Sequence, residues 1–67
     1  MKNRIRSLRE QRGLTQKELG AQVGVSRQAV NAVETGKFDP SLRLAHALAA
    51  YFGITMEALF DFSEGGI

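Results

Sequence analysis

Cysteine is absent from the 67 residues, so neither a disulfide framework nor a thiolate metal site holds the fold together. No apolar run approaches the roughly 18 residues that a bilayer-spanning helix needs, and Met1 to Arg12 is too polar for a secretory h-region. The expectation is a cytoplasmic protein with no membrane partner. No stretch has the alternation of a convincing strand, which leaves an all-α class. Basic residues are missing from the last third. Leu44 to Ile67 holds the acids Glu57, Asp61 and Glu64 with no Lys or Arg, whereas Lys2 to Arg43 holds all nine basic residues and four acids. One end attracts polyanions and the other repels them.

The chain is also short. One compact core is what 67 residues can build, so a single domain spanning 1–67 is expected, and self-association would add burial that a domain of this size lacks. Catalysis finds no support: there is no nucleophile beside a His base, no paired carboxylates at a reacting site and no phosphate-binding glycine loop. His46 stands alone, without the partners that metal ligation requires. No metal and no cofactor are expected.

What is present is a series of helix caps. Asn3 can cap a first helix with Ile5 and Leu8 on its inner face, ending near Arg12 with Gly13 beyond it. Thr15 opens a second helix, where Glu18 completes a capping box and Leu19 and Val23 face inward. Gly24 stops it, and Ser26 recaps at once. The third helix, Arg27 to Thr35, buries Val30 and Val33 and ends at Gly36. After the loop Lys37-Phe38-Asp39-Pro40, Ser41 caps a fourth helix with Leu42, Ala45, Leu48, Ala49 and Phe52 on one stripe, closed by Gly53. Thr55 caps a last turn, Met56 to Phe60. The tail from Ser63 to Gly66 reads as frayed.

Within residues 15–35, two short helices meet across a three-residue turn centred on Gly24, and that geometry dictates residue types. Leu19 and Val23 must pack beneath the turn, Gly20 must be small where the helices approach, and Val25, Val30 and Val33 must fill the space between. Each position holds a suitable residue.

In the phrases LREQRGLTQKELG, VSRQAVNAVETGK and DPSLRLAHALAAYFG, over about residues 4–60, the sequence resembles the Cro/C1-type (XRE) helix-turn-helix family of phage and bacterial repressors. The resemblance implies a lambda-repressor-like bundle of four to five helices, a third helix that enters the major groove of double-stranded DNA, and a homodimer on a pseudo-palindromic operator. Gly20 departs from the pattern, which more often has alanine there; an interior helical glycine costs about 1 kcal/mol.

With Val30 and Val33 inside, the outward residues of the third helix are Ser26, Arg27, Gln28, Asn31, Ala32 and Thr35. Arg27 offers a fork for guanine O6 and N7, Gln28 and Asn31 offer the amide pair that matches adenine N6 and N7, and Ala32 suits a thymine methyl. Phosphate contacts are expected from helix ends: Thr15, Gln16 and Lys17 at the start of the second helix, Arg12 before it, and Lys37 with the backbone N–H groups after Gly36. The resemblance further implies that Gln16 braces Gln28, and that Arg9 and Glu34 form a partly buried ion pair. Leu59, Phe60 and Phe62, with Ile67, are read either as core closure or as a self-association patch within 56–67. The leading function is a transcriptional repressor. An antitoxin, an HTH-fold protein-interaction module and a nucleic-acid-processing subunit are the alternatives; acidic or bulky apolar residues on the outer face of the third helix would favour the interaction module.

Overall fold

The computed structural model describes residues 1–63 as five helices: α1 Ile5–Gln11, α2 Gln16–Val23, α3 Arg27–Glu34, α4 Leu42–Phe52 and α5 Met56–Leu59. Local chemistry sets most of these boundaries. The Thr15 hydroxyl accepts from Glu18 N–H at 3.0 Å while the Glu18 carboxylate accepts from Thr15 N–H at 2.8 Å, closing the capping box. Ser26, Ser41 and Thr55 each accept the N–H three residues on, starting α3, α4 and α5. Gly24 ends α2 at φ 80°, a left-handed conformation that side chains disfavour.

Three boundaries differ from the sequence expectation. Arg4, not Asn3, is the N-cap of α1. Asn3 sits one residue earlier, where its Oδ1 accepts from Ile5 N–H and its Nδ2 donates to the Val33 carbonyl at 2.8 Å. Its side chain therefore ties the start of α1 to α3. Thr35 is the C-cap of α3, and α5 stops at Leu59 because Phe60 is extended and forms an isolated antiparallel bridge with Asn3.

The core is built from Ile5, Leu19, Val30, Val33, Ala45, Leu48, Ala49, Phe52, Leu59 and Phe60. Each helix thus contributes to one cluster, which seats α2 and α3 on a common base. Leu42, expected on the buried stripe of α4, is 76% exposed; it lies in the first turn, beyond the edge of the core, and Leu44 packs there instead. Leu59 and Phe60 are 1% and 3% exposed. Core closure is their role, and their side chains cannot serve as a self-association patch. Ile67 lies outside the described residues.

Candidate nucleic-acid interface

The pose of α3 is fixed from behind. Val30 and Val33 are buried, and the N-terminal end of the helix is held against α2 by a close approach at Gly20. A Cβ on Gly20 would lie 2.5 Å from the Val25 carbonyl oxygen, so the turn closes tightly only because that position has no side chain. Glycine there, a cost to helix propensity, permits the close approach that this chain adopts.

The other face of α3 is open. Ser26, Arg27, Gln28 and Asn31 are exposed, and among the described residues the side chains of Arg27, Gln28 and Asn31 have no intramolecular hydrogen bond or ion pair. Ala32 is half-buried, so it presents less surface than expected. Lys17, Ala21, Val25, Ser26, Arg27 and Gln28 line an open groove between α2 and α3. Lys17 is thereby brought beside the two long side chains at the start of α3.

At the far end of α3, a pair of charged side chains is largely covered. The Arg9 guanidinium donates to Glu34 through Nε at 2.6 Å and Nη2 at 3.2 Å, and through Nη1 to the Leu14 carbonyl at 2.7 Å. The side chains of Arg9 and Glu34 are 12% and 2% exposed. Hydrogen bonding to Glu34 holds Arg9 above its ordinary pKa range, against the opposing effect of burial. Gln16, the first residue of α2, joins the same carboxylate: its Nε2 donates to Glu34 Oε1 at 3.1 Å. Among the described residues no hydrogen bond joins Gln16 to Gln28; the Gln16 amide nitrogen is turned to Glu34 and its Oε1 is left as an acceptor.

The helix-turn-helix family model matches residues 5–59. This chain belongs to the Cro/C1-type (XRE) helix-turn-helix family. It is 44% identical over 64 residues to an HTH-type transcriptional regulator of Methanocaldococcus jannaschii, covering 96% of this chain and 97% of that one. It is 34% identical to the cryptic phage CTXphi transcriptional repressor RstR of Vibrio cholerae, covering 97% of this chain and 59% of that protein. Among solved structures, the P22 c2 repressor in complex with a synthetic operator superimposes with a TM-score of 0.77 at 30% identity, covering 81% and 82% of the two chains. This XRE-family chain is a transcriptional regulator with a helix-turn-helix DNA-binding domain, and its relatives are named as regulators rather than enzymes.

Two of the expected phosphate ligands in this regulator are committed elsewhere. Arg12 donates from Nη1 to the Tyr51 carbonyl and from Nη2 to the Phe52 carbonyl, both at 3.2 Å, with its guanidinium 5.3 Å and 5.1 Å from the two ring centroids. A cation is favoured there because the last carbonyls of α4 lack intrahelical donors and sit at the negative end of its dipole. Arg12 is therefore a C-terminal clamp on α4. The N–H groups of Lys37 and Phe38 both donate to the Ala32 carbonyl at 3.1 Å and are not available to an anion. The Lys37 side chain remains exposed.

Proposed function

We propose that this regulator is a sequence-specific repressor that binds double-stranded DNA in the cytoplasm, placing α3 in the major groove as one half of a homodimer on a pseudo-palindromic operator. The observation that carries this reading is the contrast across α3: its back is locked by Val30 and Val33, while Arg27, Gln28 and Asn31 face solvent with their side-chain donors and acceptors unspent among the described residues. Arg27 reads guanine O6 and N7, Gln28 and Asn31 read adenine N6 and N7, and Ser26 and Ala32 supply short contacts to base edges. Thr15, Gln16 and Lys17 meet the phosphates at the start of α2, and Lys37 meets them beyond α3. Two of its relatives are named as repressors and one as an activator, so the direction of control is the part of this reading that a reporter assay must decide.

The dimer contact is assigned to the surface around Phe62, which is 51% exposed and packs its ring at a tilt against Phe60, 6.3 Å between ring centroids. Lys2, Arg4, Glu57, Asp61 and Phe62 line a recess there that shares no residue with the α2–α3 groove. Both surfaces can then be occupied at once. A two-fold pair would set its recognition helices about 34 Å apart, in successive major grooves.

Selection of bound sites from a random duplex pool tests DNA binding, specificity and half-site spacing together. Two half-sites about one helical turn apart are expected, with Arg27→Ala and Gln28→Ala each costing about 1–3 kcal/mol and relaxing preference at particular base pairs. Lys37→Ala should weaken all sequences alike and shallow the slope of log K against log salt by about 1. No enriched sequence, or a preference unchanged in both α3 variants, would overturn the groove assignment. A monomer on one undivided half-site would remove the dimer.

A further inference from the structure

Gln16 and Glu34 lie 18 positions apart in sequence, yet one hydrogen bond makes the last residue of α3 the support of the first residue of α2. Glu34 Oε1 is shared: Arg9 Nη2 donates to it at 3.2 Å and Gln16 Nε2 at 3.1 Å. An ionised carboxylate only accepts, so it dictates which end of the Gln16 amide turns toward it. The amide nitrogen must face Glu34, which leaves its second N–H as a donor with a fixed direction. Arg9, held in turn by the Leu14 carbonyl, keeps Glu34 from rotating away. The Gln16 and Lys17 backbone N–H groups, in the first turn of α2, have no acceptor among the described residues and point out of the helix end.

We propose that Glu34 is a positioning residue for DNA: through the bond to Gln16 Nε2 it holds the remaining Gln16 amide N–H toward the phosphate that the start of α2 meets. This deepens the reading of Gln16 as a phosphate contact and rests on it. It gives Glu34 a role separate from its ion pair with Arg9. The ion pair needs any acceptor for the guanidinium, whereas Gln16 needs an acceptor-only oxygen in one place.

The test uses an operator selected as above, in which single phosphates are replaced in turn by neutral methylphosphonates, and measures binding by the parent, Gln16→Ala, Glu34→Gln and Glu34→Asp. Circular dichroism confirms that each variant is folded at the assay temperature. In the parent, one replacement per half-site should weaken binding roughly tenfold, the size of a lost hydrogen bond to a charged group. Gln16→Ala should sharply reduce that sensitivity, leaving what the backbone N–H groups contribute, and so should Glu34→Gln, whose amide can turn its own N–H toward Gln16. Glu34→Asp keeps the charge for Arg9 but is one methylene shorter, and it should show the same reduction; it carries the test if Glu34→Gln does not fold. Full sensitivity at that phosphate in a folded Glu34 variant would overturn the positioning role while leaving Gln16 as a contact. Sensitivity unchanged in Gln16→Ala would overturn both, and at a step that identifies Gln16 as the error.

Discussion

Removing one partner of the Arg9–Glu34 pair should be among the costliest single changes this fold admits. The Glu34 side chain is 2% exposed and that of Arg9 12%, and three hydrogen bonds converge on the carboxylate from α1 and α2. Glu34→Ala leaves a guanidinium in a largely buried site, with the Leu14 carbonyl as its remaining partner. Breaking a buried pair in this way costs about 3–5 kcal/mol. A domain of this length holds only roughly 3–10 kcal/mol in total. The loss is therefore a large share of the margin, and at about 4–8 °C per kcal/mol the melting temperature should fall by roughly 12 °C or more.

Arg9→Ala should cost a similar amount, since it strands a carboxylate that water barely reaches. Once either partner is gone, however, deletion of the second removes a stranded charge instead of a satisfied one. The double variant should therefore lose less than the two single variants together, with a coupling of about 2 kcal/mol. Urea unfolding of all four proteins, followed by circular dichroism, measures the cycle. Additivity within about 0.5 kcal/mol would refute the pairing as an energetic unit, however short its contacts.

Three further outcomes are expected. Gly20→Ala should destabilise the protein, because overpacking against the Val25 carbonyl costs about 1–3 kcal/mol and outweighs the roughly 1 kcal/mol regained in helix propensity; higher stability on chemical denaturation would show that the turn yields. Phe62→Asp should yield a folded monomer in analytical ultracentrifugation, whereas Phe60→Asp, at a position 3% exposed, should lose helical signal outright; a Phe62→Asp dimer would move the interface to another surface. The Thr15 backbone N–H, and then its hydroxyl, hold the Glu18 carboxyl below its ordinary range, so the stabilisation is present above the unfolded-state pKa and fades as pH falls through the lower folded one. Glu18→Gln retains an acceptor for Thr15 N–H and should show a flatter loss of helix signal over that acidic window; an identical pH profile would show that Glu18 does not contribute to it.

What the sequence makes legible here is local chemistry. Thr15 with Glu18, Ser26 with Ala29 and Ser41 with Leu44 are bonds across three residues, so the starts of α2, α3 and α4 can be read without knowledge of the fold. The outward face of α3 follows in the same way, since two inward valines fix the helix phase. Contacts across 40 residues leave no such trace. Nothing near Arg12 indicates that Tyr51 and Phe52 will present it with bare carbonyls, and the same holds for the bridge between Asn3 and Phe60. Periodicity also misleads at helix ends: Leu42 shares a stripe with Ala45, but the first residue of α4 lies beyond the edge of the core. The Arg9–Glu34 pair entered through resemblance, and neither residue's neighbours in sequence point to Gln16.

Arg12 carries a lesson about which cations in this domain are available to DNA. A basic residue near the docking face is useful only if the fold has not already spent its donors. Arg9 is consumed by Glu34 and Leu14, Arg12 by the end of α4, and Arg6 pairs with Glu10 one turn away at 3.3 Å. Among the described residues Arg4, Lys17, Arg27, Lys37 and Arg43 have no such partner, and of these Lys17, Arg27 and Lys37 lie by the docking face. These three flank or begin α3, the helix whose pose is fixed by Gly20, Val30, Val33 and the Glu34 network. Rigid support and unspent donors thus coincide on one element, and the net charge of the basic two-thirds of the chain overstates what reaches a phosphate. The salt dependence of binding, governed by cations that contact phosphates, should accordingly track Lys17 and Lys37 and be insensitive to Arg12. A slope that falls equally on Arg12→Ala, in a variant with α4 intact, would show that the clamp opens on DNA.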